Sequence, residues 1–448
     1  MKDTEKIHRY VVEHKEEILN TLKALVCFPS IRGAAEPDAP FGRPCAEILS
    51  HIEALYAQNG LETEPNPAAG YLLSYFGNGE RSLGLFAHAD VVDVQDDWVH
   101  AAPFAPLEKE GYLIGRGVLD DKSAVVISLY CAKMLKELAF PFRSRLVMFT
   151  GTNEETGMAD IAQYTKDHVA PAFSLACDTA FPLYRGDKSG MNFWVTLSTP
   201  LHDIRDFGGG KAMNVILGQA SATVKGETVT NVGISRHSAL PEGSVNAGYL
   251  LAKRLAARED ISRTDREQMQ LLAAILGEYD GTIFGIAHSD ECGKLTCTNG
   301  VIRTENGRIT LGFNMRFGLS ADVAYIKESI RSFFAKHNAA VVFEEEKKGY
   351  ITERSNQYIQ ACLRAYNAYT GDNAPAVYIN AGGTYARKLP CAAEIGTTLQ
   401  WGAPSHTPSG HGGAHQSDEC IHIEGFLQAI ELTMHMLLAC DAEKEAVK

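Results

Sequence analysis

Short apolar segments alternate with helical periodicities through the first part of the chain, and this alternation constrains the fold more than any other feature. Apolar residues with helical spacing cover 4–26, 42–59 and 122–139. Apolar runs with the length of buried strands occupy 71–77, 82–88, 145–150 and 175–178. Strands that alternate with helices favour an α/β fold, in which a mixed sheet is flanked by helices.

The character of the sequence changes near residue 190, which indicates a second domain inserted into the first. The run Gly208-Gly209-Gly210 is followed by strand-like segments and by a helix predicted over 244–257. Short strands and glycine-rich loops return after about residue 375 and precede a closing helix. We therefore predict one domain from 1–188 and 376–448, interrupted by an inserted α+β domain at 189–375.

Composition disfavours several classes of protein. The 448 residues carry a formal net charge of −13, which argues against a surface that binds nucleic acid. The charged N-terminal segment does not resemble a signal peptide, and no run of about 18 apolar residues predicts a membrane span. Ten cysteines are scattered without a CxxC pair, as expected of free thiols in a reducing compartment. We expect a cytoplasmic protein with no nucleic-acid or membrane partner.

Polar side chains follow the predicted strands at several places. His88 and Asp90 end the strand at 82–88, where the imidazole could bind a metal while the carboxylate orients it. Asp120 precedes the helix at 122–139, and a carboxylate there could bridge two cations. Each residue also has an ordinary interpretation, as part of a polar loop or as a helix cap.

A second set of candidates has the same ambiguity. Glu154 and Glu155 follow the strand at 145–150, and two adjacent carboxylates repel unless a cation or a shifted pKa compensates. One of them could bind a metal while the other takes a proton from water. Asp178 ends another strand, and His415 lies in a glycine-rich segment before the last helix. Taken alone, each of these residues is better explained as part of a solvated turn, a cap or a flexible polar loop.

The order of these motifs along the chain decides between the two interpretations. The sequence contains H-x-D, G-R-G-x-x-D-D-K, E-E-T-G, D-x-x-F-P and H-Q-x-x-E in that order. This order resembles the co-catalytic zinc metallopeptidase family that includes glutamate carboxypeptidase, the aminoacylases, acetylornithine deacetylase and the carnosinase-like dipeptidases. The resemblance extends over nearly the whole chain and implies a metallo-exopeptidase with a catalytic domain and an inserted lid domain.

The resemblance also implies a metal-binding role for five residues. His88 and Asp178 would hold one divalent ion, Glu155 and His415 would hold another, and Asp120 would bridge the two. A hydroxide would bridge the ions on the opposite side. Mixed carboxylate and imidazole ligands accept Zn²⁺ and Mn²⁺ alike, so the motifs do not choose between these metals.

Two further carboxylates would complete the catalytic machinery. The resemblance places Asp90 behind His88, on the side away from the metal. Glu154 would be the general base that deprotonates the bridging water and later protonates the leaving amine.

Three residues outside the metal-binding motifs match substrate-binding positions of the family. His237, in a segment that resembles the lid motif, would stabilise the developing oxyanion, and Asn214 is a second candidate for that role. Arg387, in the G-G-T-Y-A-R segment, would bind the C-terminal carboxylate of a short peptide. The ordinary alternatives are a surface histidine on a turn for His237 and a structural ion pair for Arg387.

The insert, about 185 residues long, and the G-G-T-Y-A-R segment resemble the bacterial dipeptidase V-like branch of the family. This resemblance implies a monomer that hydrolyses dipeptides with a free C-terminal carboxylate. An N-acyl amino acid deacylase or a carboxypeptidase would use the same site residues and remains an alternative. A non-catalytic binding protein is a third possibility, although Glu154 and all five candidate ligands are present.

Overall fold

A computed structural model describes residues 3–443, which form two compact units. The first unit contains residues 3–186 and 351–443, and the second contains 187–350. Helix Gln357–Thr370, which the sequence prediction assigns to the insert, buries Ile359 and Cys362 in the core of the first unit. The second boundary therefore lies at residue 350 rather than at 375.

A nine-stranded mixed sheet forms the framework of the first unit. Its strands follow the order Glu62–Asn66, Tyr71–Phe76, Arg145–Gly151, Ser82–His88, Phe173–Thr179, Ala392–Gly396, Tyr184–Asp187 and Tyr350–Ile351, with Tyr378–Asn380 paired to Tyr184–Asp187. The strands from the third to the sixth position are parallel to one another. Because parallel strands end at the same edge of a sheet, the segments that follow them are brought together at that edge.

Helices on this unit bury the apolar faces of the sheet. They span Asp3–Glu13, Lys15–Val26, Arg43–Gln58, Lys122–Glu137, Ala159–Asp167, Gln357–Thr370 and Ile423–Ala442. The helix predicted over 4–26 is divided at His14. The ring atom Nδ1 of His14 lies 2.8 Å from the carbonyl oxygen of Tyr10. The buried helix predicted over 122–139 spans Lys122–Glu137, and every residue from 122 to 135 is buried.

The C-terminal helix has the composition of a membrane span but the environment of a core helix. Among residues 3–443, Ile423–Ala442 is the one helix long and apolar enough to cross a bilayer. However, 72% of its most apolar window is buried inside the unit. Phe426, Ile430 and Leu437 pack in the hydrophobic core beneath the sheet.

A small antiparallel sheet in the first unit joins two loops that carry candidate ligands. Its strands are Leu107–Lys109, Tyr112–Ile114 and Cys420–His422, with Tyr112–Ile114 in the middle. The pairing continues beyond the strands, because Gly115 N donates to Glu419 O at 2.9 Å. The chain before Asp120 and the chain after His415 are therefore held side by side.

The second unit has its own core and its own sheets. A four-stranded sheet has the order Thr296–Glu305, Arg308–Phe317, Ser189–Leu197 and Ala339–Phe343, and a three-stranded sheet has the order Ile204–Gly208, Gln219–Val224 and Glu227–Val232. A short hairpin pairs Ser289–Asp290 with Gly293–Lys294. The helices are Ala247–Ala256, Arg263–Leu276 and Val323–Ala335, with 3₁₀ turns at Thr282–Phe284 here and at Tyr385–Lys388 in the first unit.

The predicted α/β class, with a mixed sheet flanked by helices, is confirmed.

Candidate metal centre

The candidate ligands lie where the parallel strands of the first unit end. His88 is the last residue of its strand and pairs with Gly151 of the neighbouring strand, three residues before Glu154. Asp178 lies near the end of Phe173–Thr179 on the other side of His88's strand. The sheet therefore brings together residues that are widely separated in sequence.

Distances between the side chains show a compact cluster centred on Asp120. Its Oδ1 lies 3.0 Å from His88 Nε2, and its Oδ2 lies 3.1 Å from His415 Nε2. His415 Nε2 is also 3.0 Å from Glu155 Oε1, and His88 Nε2 is 3.8 Å from Asp178 Oδ2. The two oxygens of Asp120 thus face two different imidazoles, each of which faces a further carboxylate.

The cluster contains two groups with the spacing of a metal site. Ligand atoms of His88, Asp120 and Glu155 all lie within 4.8 Å of one another, and so do those of His88, Glu154 and Asp178. Glu154 therefore lies as close to His88 and Asp178 as a metal ligand would. All five predicted ligands and the predicted base are brought together in the first unit.

The tautomer of His88 can be assigned from its hydrogen bond. His88 Nδ1 lies 3.0 Å from the carbonyl oxygen of Asp90, and a carbonyl oxygen only accepts. Nδ1 therefore carries the proton, and the lone pair of the neutral ring is on Nε2, which points into the cluster. A second group behind the ring that fixes the tautomer in this way is usual for metal-binding histidines.

The carboxylate of Asp90 has a second task that the sequence did not indicate. Its Oδ1 accepts a hydrogen bond from Glu154 N and its Oδ2 accepts one from Glu155 N, both at 3.2 Å. Asp90 is almost completely buried, at 1% exposed. It therefore fixes the backbone that carries both glutamates, in addition to lying behind His88.

Glu419 organises the other side of the cluster and was not assigned a role from the sequence. Its Oε1 accepts from the backbone amides of Gly117, Leu119 and Asp120 at 2.9–3.1 Å, and its Oε2 accepts from Arg116 Nη1 at 2.6 Å. The residue is fully buried. Its position four residues after His415, in the H-Q-x-x-E motif, is the signal that could have identified it.

We expect Glu419→Gln to weaken metal binding by about 10–100-fold, the usual effect of changing a residue that supports a ligand. In glutamine, an NH₂ group replaces one of the two carboxylate oxygens that accept hydrogen bonds. Either the loop amides or Arg116 would therefore lose their acceptor. Competition with a chelator of known affinity measures the change.

Asp441→Asn is the matched control for that experiment, since Asp441 is a buried carboxylate that accepts from the amides of Arg143 and Ser144 in the same unit. Equal metal affinity of Glu419→Gln and the wild type would contradict the supporting role of Glu419.

Hydrogen bonds also anchor the loop that carries His415. Asp418 accepts from the amides of Val99 and His100 at 2.8–3.1 Å, and its Oδ2 lies 2.7 Å from His411 Nδ1. His411 thus pairs with Asp418 and is not part of the cluster of candidate ligands. His415 itself has a left-handed backbone with φ 63° and a side chain that is 54% exposed.

The accumulated negative charge changes the proton affinity of the cluster. Burial raises the pKa of Glu154 well above its usual range, with Glu155 and Asp90 adding to the shift and His88 opposing it. Burial raises the pKa of Asp178 in the same way, reinforced by Asp120 and Asp121. For Asp120, contacts with His415 and His88 outweigh burial and lower the pKa. A divalent cation would relieve this repulsion.

The nitrogen and oxygen atoms of the cluster are better placed to bind a metal ion than to form hydrogen bonds with one another. His88 Nε2, Glu154 Oε1 and Glu155 Oε1 are buried atoms with no hydrogen-bond partner. His88 Nε2 nevertheless lies 3.0 Å from Asp120 Oδ1, so the separation is short but the direction is not that of a hydrogen bond. Buried polar atoms are rarely left unpaired. Atoms that converge on shared space without bonding one another are typical of a cation site.

The structure places His237 and Asn214 together in the second unit. Val215 and His237 form an antiparallel bridge, and Ser238 N donates to Asn214 O at 2.9 Å. Both side chains belong to exposed residues. Ala239 N donates to His237 Nδ1 at 3.3 Å, so a neutral His237 ring carries its proton on Nε2.

Arg387 lies in the first unit, in the 3₁₀ turn Tyr385–Lys388. Its Nη2 donates to Gly382 O at 2.8 Å. A side chain at Gly383 would have its Cβ 1.8 Å from the guanidinium, which explains why the motif has glycine there. The guanidinium is thus held over the glycine backbone by the turn that carries it.

Comparison with known proteins assigns the class. The family model described as Peptidase family M20/M25/M40 matches residues 84–439, which is most of the chain. The chain therefore belongs to this peptidase family and is a hydrolase that uses divalent metal. The resemblance inferred from the motifs is confirmed.

Individual relatives extend over nearly the full length. A Staphylococcus epidermidis protein that bears a dipeptidase name is 27% identical over 425 residues, covering 85% of this chain and 89% of its own. YtjP of Bacillus subtilis, also named as a dipeptidase, is 24% identical and covers 94% and 96%. Human carnosine dipeptidase 1 has the same fold, with a TM-score of 0.63, 13% identity and coverage of 98% and 99%.

Proposed function

We propose that this chain is a dipeptidase that binds two divalent ions, Zn²⁺ or Mn²⁺, and hydrolyses dipeptides with a free C-terminal carboxylate. The observation that carries the proposal is the position of Asp120, whose two oxygens lie 3.0 and 3.1 Å from the imidazoles of His88 and His415. A carboxylate with one oxygen toward each of two ligand groups is suited to bridge two cations. The dipeptidase names of the bacterial relatives support the choice of substrate.

The remaining ligands divide between the two ions according to their distances. Asp178 Oδ2 lies 3.8 Å from His88 Nε2, so Asp178 would share the first ion with His88. Glu155 lies 3.0 Å from His415 and would share the second. Asp120 would contribute to both. Imidazole and carboxylate ligands suit Zn²⁺ and Mn²⁺, so the donor set supports either metal.

Bound ions of this kind polarise the scissile carbonyl and make water more acidic. The protein supplies the proton transfers. Glu154 would take a proton from the attacking water and return it to the leaving amine, because its Oε1 is buried at the cluster without another partner. Asp90 would keep that carboxylate in place through the amide hydrogen bond to Glu154.

Recognition of the substrate would use Arg387, His237 and Asn214. Arg387 would bind the C-terminal carboxylate through its planar guanidinium, which presents several donors in a fixed arrangement. His237 would donate from Nε2 to the developing oxyanion, with Asn214 beside it as a second donor. The bridge between Val215 and His237, which holds the two segments together, supports a joint role.

The proposal includes a monomer in the cytoplasm that has a small peptide as its partner, without nucleic acid or membrane. The length of the insert supports the monomer. The net charge of −13 supports the absence of a nucleic-acid partner.

Hydrolysis of a small peptide panel tests the proposal. We expect protein stripped by a chelator to be inactive and to regain cleavage of free dipeptides when Zn²⁺ or Mn²⁺ is added. Tripeptides and N-acetylated amino acids should remain intact under the same conditions. Chromatographic detection of the free amino acids measures the reaction.

The controls distinguish the alternatives. Cleavage of the N-acetylated substrates alone would assign the chain to deacylation, and cleavage of longer peptides from the C-terminus would assign it to carboxypeptidase activity. Tight metal binding without turnover of any substrate would favour a binding protein and would contradict the proposal.

A further inference from the structure

Residues 152–155 form the turn that carries the proposed base, Glu154. Two buried carboxylates accept hydrogen bonds from the four backbone amides of this turn. Asp90 accepts the second pair, from Glu154 N and Glu155 N, each at 3.2 Å. Asp160 Oδ2 accepts the first pair, from Thr152 N and Asn153 N, each at 2.8 Å. Asp160 is fully buried. The turn is therefore fixed at both of its ends, and Asp160 determines where it begins.

A tyrosine from the G-G-T-Y-A-R motif shares the same oxygen of Asp160. The Tyr385 hydroxyl donates to Asp160 Oδ2, and the residue is 2% exposed. Its ring meets the His88 ring edge-on, with 6.3 Å between centroids. A Cβ on Gly151 would lie 2.1 Å from the Tyr385 hydroxyl oxygen, so glycine at this position leaves room for the hydroxyl. The hydroxyl thus has a specific place next to the catalytic turn.

The same motif carries the proposed carboxylate-binding guanidinium. Tyr385 and Arg387 lie two residues apart in the 3₁₀ turn Tyr385–Lys388, and the side chain of Thr384 caps that turn through Ala386 N at 3.2 Å. Arg387 also donates back to Gly382 O. The guanidinium is therefore coupled to its turn, and any displacement of Tyr385 would displace it.

We propose that Tyr385, acting through Asp160, is a positioning residue that keeps the guanidinium of Arg387 in register with Glu154. The inference rests on the proposed function, because it takes Arg387 as the carboxylate-binding group and Glu154 as the base. A dipeptide anchored by its carboxylate presents its scissile bond at a fixed distance from Arg387. The link through Asp160 fixes the position of Arg387 relative to Glu154, so that the scissile bond of the anchored dipeptide lies next to Glu154.

Kinetics of Tyr385→Phe on a free dipeptide and on its C-terminal amide test the link. We expect kcat/KM for the dipeptide to fall by about 10–100-fold, as is usual when a supporting residue is removed from a metal site. The preference for the dipeptide over the amide should fall at least about tenfold, since the amide makes less use of Arg387. The metal content should equal that of the wild type.

A matched control and a double-mutant cycle separate this role from general stability. Tyr56→Phe also removes one buried hydroxyl, which donates to Val125 O at 2.8 Å in the same unit, and should preserve both the rate and the preference. Arg387→Met should lower the preference as well. Combined with Tyr385→Phe, its effect should be smaller than the product of the two single effects, because both act on one interaction.

The outcomes distinguish failure of the inference from failure of the proposed function. Equal losses on the dipeptide and the amide, or independent effects in the cycle, would overturn the link while the wild type still cleaves dipeptides. A wild type that cleaves no dipeptide would refute the proposed function and the inference together. If circular dichroism shows that Tyr385→Phe does not fold, Asp160→Asn replaces it, and the same loss of preference is required.

Discussion

Replacing Glu154 with glutamine should lower kcat for dipeptide hydrolysis by about 10²–10⁴-fold, the usual contribution of a general base. Glutamine keeps the size of the side chain and its backbone hydrogen bond to Asp90, but it cannot take a proton from water. Glu154 is not among the five proposed ligands, so both metal sites should remain. Steady-state kinetics together with metal analysis of the purified variant measure the two properties separately.

Glu155→Gln is the matched comparison, because it makes the same chemical change in the adjacent side chain. It should lower metal occupancy, since Glu155 Oε1 lies 3.0 Å from His415 Nε2 in the proposed second site. A Glu154→Gln variant with a rate within tenfold of the wild type would contradict its role as the base. Loss of metal from that variant would instead make Glu154 a ligand.

The clustering of most of the candidate ligands could be predicted from the sequence because it depends on where the strands end. His88, Glu154, Glu155 and Asp178 follow apolar runs that become neighbouring strands, and parallel strands necessarily end at one edge. Asp120 and His415 lack such a strand, and their assignment depended on the order of the motifs. The ends of strands are thus the part of a site that hydrophobic patterning indicates best.

The groups that hold the ligands in place could not be predicted in the same way. Glu419 accepts from the amide of Asp120, 299 positions earlier in the chain, and Tyr385 donates to Asp160 across 225 positions. Such pairings depend on which loops meet in the folded chain, and residue spacing contains no information about that. The helix Gln357–Thr370 was assigned to the insert for a similar reason, because its partners in the core are distant in sequence.

Replacing Asp120 with asparagine should lower the affinity for both metal ions by more than about 100-fold. Loss of a residue that only supports a ligand already costs about 10–100-fold, and Asp120 is proposed as a ligand of both ions. Asparagine keeps one carbonyl oxygen, but it places an NH₂ group, which cannot bind a cation, at the position of the other oxygen, and it removes the negative charge between the two imidazoles. Isothermal titration of chelator-stripped protein with Zn²⁺ measures both sites.

Asp121→Asn provides the control, since Asp121 is the adjacent buried carboxylate and accepts from His88 N at 3.1 Å without a proposed ligand role. Because Asp121 only supports a ligand, its replacement should cost no more than about 10–100-fold in affinity, and the variant should retain two bound ions per chain. If Asp120→Asn loses affinity at one site and keeps the other unchanged, Asp120 belongs to a single ion, and the cluster is two independent sites instead of a bridged pair. If both variants bind two ions with wild-type affinity, the cluster around Asp120 is not the metal centre.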